Sequence, residues 1–429
     1  MPRACEHGGM SETPEAVTIE DVQAARERIA GAVRVTPLWP IGSLSAIAGV
    51  PVLLKCEQLQ RGGSFKFRGA SNMLDSLEER PGGVIAASAG NHAQGVALAA
   101  SERGIAATVV MPANAPLAKQ AATRAYGAEV VLLDGGLEAC IARARELAGE
   151  FGLLFVPPFD NPAVVAGQGT LGLEVLEQAP EAETVLVPAG GGGLLAGVAL
   201  AIKSLRPEVR VVGVQAQAMP GIAASLDAGS PLTVPLVQTL ADGAAVAGPS
   251  ELTFELIRRH VDEVVTVGEP DVEHAMVLLI ERAKFVVEGA GALGVAALLA
   301  GAVELGGPVA VVLSGGNADI NLLGRIVERG LMGAGRRRLV TFAAAHAPGE
   351  LARISAIIAG SRANVIQVEH RLTGDNQPIG VVLITFHLDV AGEEGFEELS
   401  GALQEAGMRA GAPGTGVDFV TPNAQALPW

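Results

Sequence analysis

Short runs of β-branched and other apolar residues alternate with alanine-rich segments of helical length along most of the chain. The predicted strands include 52–54, 83–86, 107–111, 129–132, 184–187, 209–214 and 309–313, and the predicted helices include 95–103, 117–126, 136–151, 193–205, 271–285 and 292–303. Strands that alternate with helices predict βαβ units and a mainly parallel sheet. Ligands of such a sheet bind beyond the carboxyl ends of its strands. We therefore expect an α/β fold whose functional residues follow strands.

The pattern changes after residue 330. A strand is predicted at 339–344, a helix at 349–361, strands at 363–371 and 379–388 around a Gly374-Asp375-Asn376 turn, and a helix at 396–406. This β-α-β-β-α order matches a ferredoxin-like module, with a closing strand expected near Met408-Arg409-Ala410. The expected organisation is a disordered leader (1–17), a first domain (18–330), a linker (331–338), a second domain (339–410) and a tail (411–429).

The chain has 429 residues and a net charge of −16, which argues against a nucleic acid or an anionic membrane as a partner. Its short basic cluster, Arg336-Arg337-Arg338, is expected to be a solvated linker. The uncharged stretch 184–202 is about long enough to span a bilayer, but Pro188 and the run of four glycines at 190–193 predict a strand, a turn and a buried helix instead. The first residues include Glu6 and Glu12 and no apolar signal segment, so a cytoplasmic protein is expected.

A lysine stands between two phenylalanines in the segment Gly62-Gly63-Ser64-Phe65-Lys66-Phe67-Arg68. Burial disfavours the charged form of an amine and lowers its pKa, so a buried Lys66 would be available as a nucleophile and proton acceptor. The alternative is a lysine at the edge of the core that extends its ammonium group to solvent. Taken alone, this residue favours the edge lysine. The other motifs decide between the two interpretations.

Three further motifs each follow a predicted strand. The turn Ser88-Ala89-Gly90-Asn91-His92 precedes a helix, whose free N–H groups can bind an anion such as a carboxylate. The run Gly190-Gly191-Gly192-Gly193-Leu194 exposes successive N–H groups at another helix start, which suits a phosphate. It lacks both the Walker lysine and the acidic residue of a dinucleotide fingerprint. Ser314 can present a neutral hydroxyl to a ring nitrogen, with a helix-capping serine as the alternative.

Together these motifs provide an amine, a carboxylate site, a phosphate cradle and a neutral hydroxyl at the strand ends of one α/β sheet. A ligand with an aldehyde, a phosphate and a ring nitrogen fits that set, which indicates pyridoxal 5′-phosphate. The motifs 64–70, 88–92, 190–194 and 314–317 resemble those of the fold-type II pyridoxal-phosphate enzymes, in particular the threonine ammonia-lyases (threonine dehydratases). The resemblance covers about 18–330 and includes Pro112, Lys119, 127–129 and 240–243.

The last 90 or so residues resemble an ACT domain, a small-molecule regulatory module, through the segment Pro348-Gly349-Glu350-Leu351-Ala352. The two resemblances imply a tryptophan-synthase-β-like core of two αβα subdomains, the smaller (about 55–155) inserted in the larger, followed by a ferredoxin-like (βαββαβ) module. They also imply a homo-oligomer, expected to be a tetramer, with an effector bound where paired ACT modules share an edge.

The resemblance also implies roles for single residues. Lys66 forms a Schiff base with the cofactor and, once displaced by the substrate, removes the α-proton, while Phe65 and Phe67 flank it. Asn91 bonds the 3′ oxygen of the ring, and Ser314 meets the pyridine nitrogen. The phosphate is held by Gly190, Gly191, Gly192, Gly193 and Leu194, and the substrate carboxylate by Ser88, Ala89, Gly90, Asn91 and His92. Gly243 and Glu288 are candidates for the pocket wall, with an ordinary turn and a helix-start carboxylate as the alternatives.

The implied reaction is the deamination of L-threonine to 2-oxobutanoate and ammonia, and of L-serine to pyruvate. A serine-preferring dehydratase and a catalytically inactive amino-acid sensor are the alternatives. Ala89 stands where related serine racemases carry a proton-transferring serine, so elimination is favoured over racemisation. Gln215 stands where they carry a carboxylate for a divalent cation, so no metal site is predicted. Arg362 replaces the usual glycine of an ACT turn near the effector pocket.

Overall fold

The computed structural model describes residues 16–371, 380–406, 408–410 and 418–422. The chain forms two compact units, 1–319 and 320–429. The predicted Gly374-Asp375-Asn376 turn lies outside the described residues. Within the described ranges, no helix combines the length and the apolar character needed to cross a bilayer.

The first unit alternates strands and helices, as the sequence predicts. Its strands are β1 (Leu38–Pro40), β2 (Val52–Cys56), β3 (Val84–Ala87), β4 (Ala107–Pro112), β5 (Glu129–Leu133), β6 (Leu154–Phe155), β7 (Thr184–Pro188), β8 (Arg210–Ala216), β9 (Glu263–Val267) and β10 (Val309–Leu313). Its helices are α1 (Ile19–Ile29), α2 (Gly42–Ala48), α3 (Lys66–Asp75), α4 (Asn91–Glu102), α5 (Leu117–Ala125), α6 (Leu137–Phe151), α7 (Pro162–Gln178), α8 (Gly193–Leu205), α9 (Gly221–Ala228), α10 (Glu251–His260), α11 (Glu269–Leu278), which a π-helical turn extends, and α12 (Gly289–Leu299).

These strands form two sheets. The larger has the order β1-β2-β10-β7-β8-β9 and is parallel except for β1, while the smaller has the order β5-β4-β3-β6 and is parallel throughout. The chain leaves the larger sheet after β2, builds the whole smaller sheet, and returns at β7. The parallel α/β core expected from the strand and helix alternation is thereby confirmed, and the uncharged stretch 184–202 forms β7 and most of α8.

Helix α7 is a central element that the sequence patterns do not predict. Its glycines pack against α8 at backbone distance: a Cβ added at Gly197 would lie 2.7 Å from the nitrogen of Gly169, and one added at Gly169 would lie 2.9 Å from the carbonyl oxygen of Gly197. Such an approach excludes any larger side chain at either position. Glycine lowers helix propensity. The glycines that this packing requires therefore also make the helix difficult to predict from its sequence.

A buried network of charges joins β2, α3 and α7. The guanidinium group of Arg68 donates to both carboxylate oxygens of Glu57, at 2.8 and 2.7 Å, and to Oε1 of Glu174 at 2.7 Å. Lys55 pairs with the other oxygen of Glu174 and donates to Gln178 at 2.8 Å. Burial alone would raise the pKa of Glu57, but the neighbouring Arg68 holds that pKa below its ordinary value. Two cations therefore balance two carboxylates inside the protein.

The second unit follows the predicted β-α-β-β-α order. Its elements are α13 (Ile320–Gly333), β11 (Arg337–Ala345), α14 (Glu350–Gly360), β12 (Asn364–Arg371), β13 (Val381–Asp389), α15 (Gly392–Glu405), β14 (Met408–Ala410) and β15 (Asp418–Pro422). The sheet order is β12-β13-β11-β15-β14.

The end of the second unit differs from the sequence expectation. The predicted closing strand forms as β14, but it pairs with β15, and β15 rather than β14 lies next to β11. Phe419, Val420 and Thr421 are aromatic or β-branched and suit an internal strand better than Met408-Arg409-Ala410 does. The segment 411–429, expected to be a tail, thus contributes a strand to the sheet.

We predict that Glu174→Leu lowers the free energy of unfolding by about 3–5 kcal/mol, because it leaves Arg68 and Lys55 buried without their shared carboxylate. Glu177→Leu on the same helix is the matched control, since Glu177 is 55% exposed and pairs at the surface with Arg26. Its effect should stay below about 1 kcal/mol. Urea unfolding followed by circular dichroism measures both, and equal midpoints for the two variants would contradict the prediction.

Candidate active site

A cavity of about 480 Å³ opens in the first unit where β3, β7 and β10 end. The structure brings together at this cavity all the site residues inferred from the sequence except Phe67: Phe65, Lys66, Ser88, Ala89, Gly90, Asn91, His92, Gly190, Gly191, Gly192, Gly193, Leu194, Gly243, Glu288 and Ser314. Both sheets contribute, because β3 belongs to the smaller sheet and β7 and β10 belong to the larger. The carboxyl ends of parallel strands thus converge on one concave site.

Lys66 is the first residue of α3, and its side chain enters the cavity. Its Nζ donates to the carbonyl oxygen of Pro158 at 2.9 Å and lies 5.0 Å from the ring centroid of Phe65. Burial lowers the pKa of this amine to about 8, although the carboxylate of Glu288 acts in the opposite direction. Phe67 departs from expectation: it is fully buried in the apolar core around β3 and β4 and does not line the cavity. One aromatic ring, not two, therefore flanks the amine.

The glycine run after β7 forms the turn that starts α8. A Cβ added at Gly191 would lie 2.5 Å from Cδ1 of Phe159, one added at Gly193 would lie 2.8 Å from Cβ of Phe159, and one added at Gly190 would lie 2.9 Å from Cα of Ala244. Gly192 has φ +92°, in the left-handed region that favours glycine. No residue with a side chain fits these positions, so backbone groups at a helix N-terminus line the cavity here. This arrangement suits an anionic phosphate.

The turn after β3 is held by its own polar groups. Ser88 Oγ accepts a hydrogen bond from the backbone N–H of Gly90 at 3.1 Å. His92 Nε2 contacts the carbonyl oxygen of Val156 at 2.8 Å. Burial, and then the nearby Lys66, lower the pKa of His92 to about 3, so the ring is neutral and its Nε2 carries the donated proton. Contacts within the protein therefore hold this turn.

An ion pair without an inferred role also reaches the cavity. Lys119, on α5, pairs with Asp242, in the 3₁₀ turn Asp242–Ala244, at 2.6 Å. This ion pair lies beside the site and joins the part of the first unit that carries the smaller sheet to the part that carries the larger sheet. Burial and the nearby Asp242 raise the pKa of Glu288 to about 7. No local sequence pattern predicts the ion pair of Lys119 with Asp242, because the two residues are 123 positions apart.

Gln215 has a structural role in this protein. Its Oε1 accepts hydrogen bonds from the backbone N–H groups of Ile222 and Ala223 at 3.1 and 3.0 Å, and its Nε2 lies 3.3 Å from the carbonyl oxygen of Met219. The amide therefore holds the start of α9. Among the described residues, no group of three or more His, Cys, Asp or Glu side chains could hold a metal ion.

Two sheets of mainly parallel strands, with a half-buried lysine in the cavity and a glycine turn at a helix start, are typical of an α/β enzyme that binds a cofactor. The pyridoxal-phosphate dependent enzyme family matches residues 29–315. An L-threonine ammonia-lyase of Thermotoga maritima is 46% identical over 389 residues, which cover 90% of this chain and 97% of that protein.

Solved structures give the same answer for the fold. A threonine deaminase of T.th. is 45% identical and covers 71% of this chain and 99% of its own, with a TM-score of 0.68. Maize serine racemase is 36% identical and covers 74% of this chain and 99% of its own, with a TM-score of 0.70. The chain therefore belongs to the pyridoxal-phosphate dependent enzymes, and pyridoxal phosphate is its cofactor. The amine, the glycine turn and the serine that line its cavity fit that group.

We predict that Glu288 makes stability depend on pH in the cofactor-free protein. Its pKa rises from 4.5 to about 7 on folding, so the folded state holds a proton that the unfolded state has released between these values. The free energy of unfolding of the wild type should therefore fall, relative to that of Glu288→Gln, by roughly 3 kcal/mol as pH rises through this window.

Urea unfolding at pH 5 and pH 8 tests this expectation. The exposed Glu304→Gln is the control and should follow the wild type at both pH values. Parallel behaviour of the wild type and Glu288→Gln would show that Glu288 is ionised in the folded protein throughout this range.

Proposed function

We propose that this protein is a threonine ammonia-lyase, which converts L-threonine to 2-oxobutanoate and ammonia and also accepts L-serine, giving pyruvate. The observation that carries the proposal is one cavity that the half-buried Lys66 lines together with the Gly190–Gly193 turn, the Ser88–His92 turn and Ser314. The names of the relatives from Thermotoga maritima and T.th. support threonine as the main substrate.

Three groups of residues would hold the cofactor. The N–H groups of the Gly190–Leu194 turn would bind its phosphate, the hydroxyl of Ser314 would meet its ring nitrogen, and the amide of Asn91 would reach its 3′ oxygen. When bound, pyridoxal phosphate supplies an electron-withdrawing system that makes the α-proton of an amino acid acidic. A neutral hydroxyl keeps the ring nitrogen less firmly protonated than a carboxylate would, which suits elimination over transamination.

The chain itself supplies binding and proton transfer. With a pKa of about 8, a larger fraction of the Lys66 amine is unprotonated near neutral pH than for a lysine in water, so it is available to accept a proton. The Ser88–His92 turn starts α4, and N–H groups at the start of that helix would bind the substrate carboxylate.

Ala89 supports elimination over racemisation. It lines the cavity, and its methyl group cannot deliver a proton to the opposite face of a planar carbanion. A serine-preferring dehydratase on the same scaffold is the nearest alternative. An inactive sensor would be expected to have lost part of the machinery, whereas this chain keeps Lys66, Asn91 and Ser314 together.

We propose that the second unit is an ACT regulatory domain that binds a small-molecule effector. The match to the Thermotoga maritima enzyme covers 90% of this chain, more than the 319 residues of the first unit, so that relative shares part of the second unit. Arg362 has φ +57°, a conformation that favours glycine, which is consistent with a glycine turn in the parent module. Its long side chain changes the surroundings of the proposed effector pocket.

We propose a homotetramer in which second units pair through β12. This strand is at the edge of its sheet, where unpaired backbone groups can accept another strand. It also exposes apolar side chains: Val365 (37%), Ile366 (45%) and Val368 (37%). An exposed apolar edge strand favours pairing with a second copy of the chain.

We predict that borohydride reduction of the holoenzyme, followed by peptide mapping, locates the cofactor adduct on Lys66. Lys66→Ala should lose the yellow colour and at least about 10³-fold in turnover. Lys203→Ala, on α8 away from the cavity, should keep both. Assays of 2-oxobutanoate from threonine and pyruvate from serine should give the higher kcat/KM for threonine. An adduct on another lysine would overturn the assignment, and a higher value for serine would favour the serine dehydratase.

We predict that Ile366→Lys reduces the oligomeric state, because like charges would face each other across the paired edges. Leu351→Lys is the control, since Leu351 is equally exposed (43%) but lies on α14, away from the edge. Sedimentation velocity measures the mass of each variant. Wild-type mass for Ile366→Lys would exclude pairing through β12.

A further inference from the structure

The amide of Asn317 joins the turn after β10 to two other parts of the site. Its Nδ2 donates to the carbonyl oxygen of Gly62 at 2.8 Å, in the loop that leads to Lys66. The same nitrogen donates to Oδ1 of Asn91 at 2.8 Å, at the start of α4. Because this NH₂ group has two hydrogens, both bonds can form together. Asn317 thus connects the lysine loop with the Asn91 turn.

These contacts determine which way the Asn91 amide faces. Since Asn317 presents hydrogens, the atom of Asn91 that meets it has to be the oxygen. The Nδ2 of Asn91 then faces the other way, where it donates to Oε1 of Glu288. A carboxylate accepts hydrogen bonds and cannot donate them when ionised. Above the Glu288 pKa of about 7, Asn317 and Glu288 therefore specify the same orientation from opposite ends of the amide; below it a protonated Glu288 can also donate, and Asn317 alone specifies the orientation.

Two glycines make room for this chain of side chains. A Cβ added at Gly63 would overlap Oδ1 of Asn317 and lie 3.0 Å from its Cγ. A Cβ added at Gly315 would overlap Oε1 of Glu288 and lie 3.0 Å from Nδ2 of Asn91. These glycines belong to the lysine and serine motifs, so both motifs contain a position that the chain keeps free of a side chain.

The backbone around Asn317 has its own supports. The N–H of Phe65 donates to the carbonyl oxygen of Ser314 at 3.1 Å, and the N–H of Gly316 donates to the carbonyl oxygen of Gly63 at 2.9 Å. These bonds hold the lysine loop against the serine turn whatever side chain residue 317 carries. A substitution there should change the direction of the Asn91 amide and leave the two loops joined.

We propose that Asn317 is a positioning residue, which fixes the Asn91 amide so that its N–H group, not its oxygen, faces Glu288 and the cavity. The inference rests on the proposed function, because that proposal is what brings the Asn91 amide to the 3′ oxygen of the cofactor ring. The N–H group is the one that can donate to an anionic ring oxygen. An inverted amide would place an oxygen against that oxygen and against Glu288.

The test compares Asn317→Asp with Asn317→Ala in the holoenzyme. Aspartate has the shape of asparagine but no N–H group, so the Asn91 amide should invert to donate to it. We expect both variants to lose at least about tenfold in kcat, with KM within about threefold of the wild type, the size expected for one misdirected hydrogen bond. The absorbance maximum of the bound cofactor should also move in both. Asn114→Asp, in an exposed turn, is the matched control and should match the wild type.

A wild-type spectrum and kcat in Asn317→Asp would overturn the proposal, as would a loss confined to Asn317→Ala, since that result indicates packing. If Asn317→Asp does not fold by circular dichroism, Asn317→Leu replaces it, because leucine has the same branching as asparagine but offers no hydrogen-bond donor to the Asn91 amide. We expect the same spectral change there, and its absence would overturn the proposal. Failure of the proposed function is distinguishable, because it would appear in the wild type as a missing Lys66 adduct.

Discussion

The position of the active-site lysine depends on a guanidinium group two residues further along the chain. Arg68 is fully buried with Glu57 and Glu174, and none of the three lines the cavity. Charges buried in this way are stable as a complete set and strongly destabilising when one is removed. The set therefore fixes the first turn of α3 against β2 and α7. Lys66 lies in that turn. An ion network that does not line the cavity therefore determines the position of the reactive amine.

The fold could be predicted where burial leaves a continuous apolar signal. Strands β7 and β10 are predicted almost to the residue, because parallel strands covered on both faces consist of uninterrupted β-branched and aliphatic residues. Helix α7 gives no such signal, since Gly167, Gly169 and Gly172 lower its propensity while allowing α3 and α8 to approach its backbone. The place of β15 next to β11 is likewise a tertiary outcome, which the glycine- and proline-rich sequence around it does not indicate.

The candidate site could be predicted where topology alone assembles it. The Ser88–His92 and Gly190–Gly193 turns follow strands, and parallel strands bring their carboxyl ends together. The pairing of Lys119 with Asp242 has no local signal, because a helix and a 3₁₀ turn meet only in the folded chain. The orientation of the Asn91 amide is equally non-local, since it depends on side chains 197 and 226 residues away.

Burial shifts the pKa values of two ionisable groups that line this cavity in opposite directions. It lowers the pKa of Lys66 from 10.5 to about 8 and raises that of Glu288 from 4.5 to about 7. Burial therefore brings the two pKa values close together, so moving a proton from the ammonium to the carboxylate requires much less free energy than it would in water. A lysine in water holds its proton too tightly to act as a nucleophile near neutral pH. The same low-dielectric cavity that frees this amine also supplies, in Glu288, a carboxylate able to hold the released proton, so both properties follow from excluding water from one pocket.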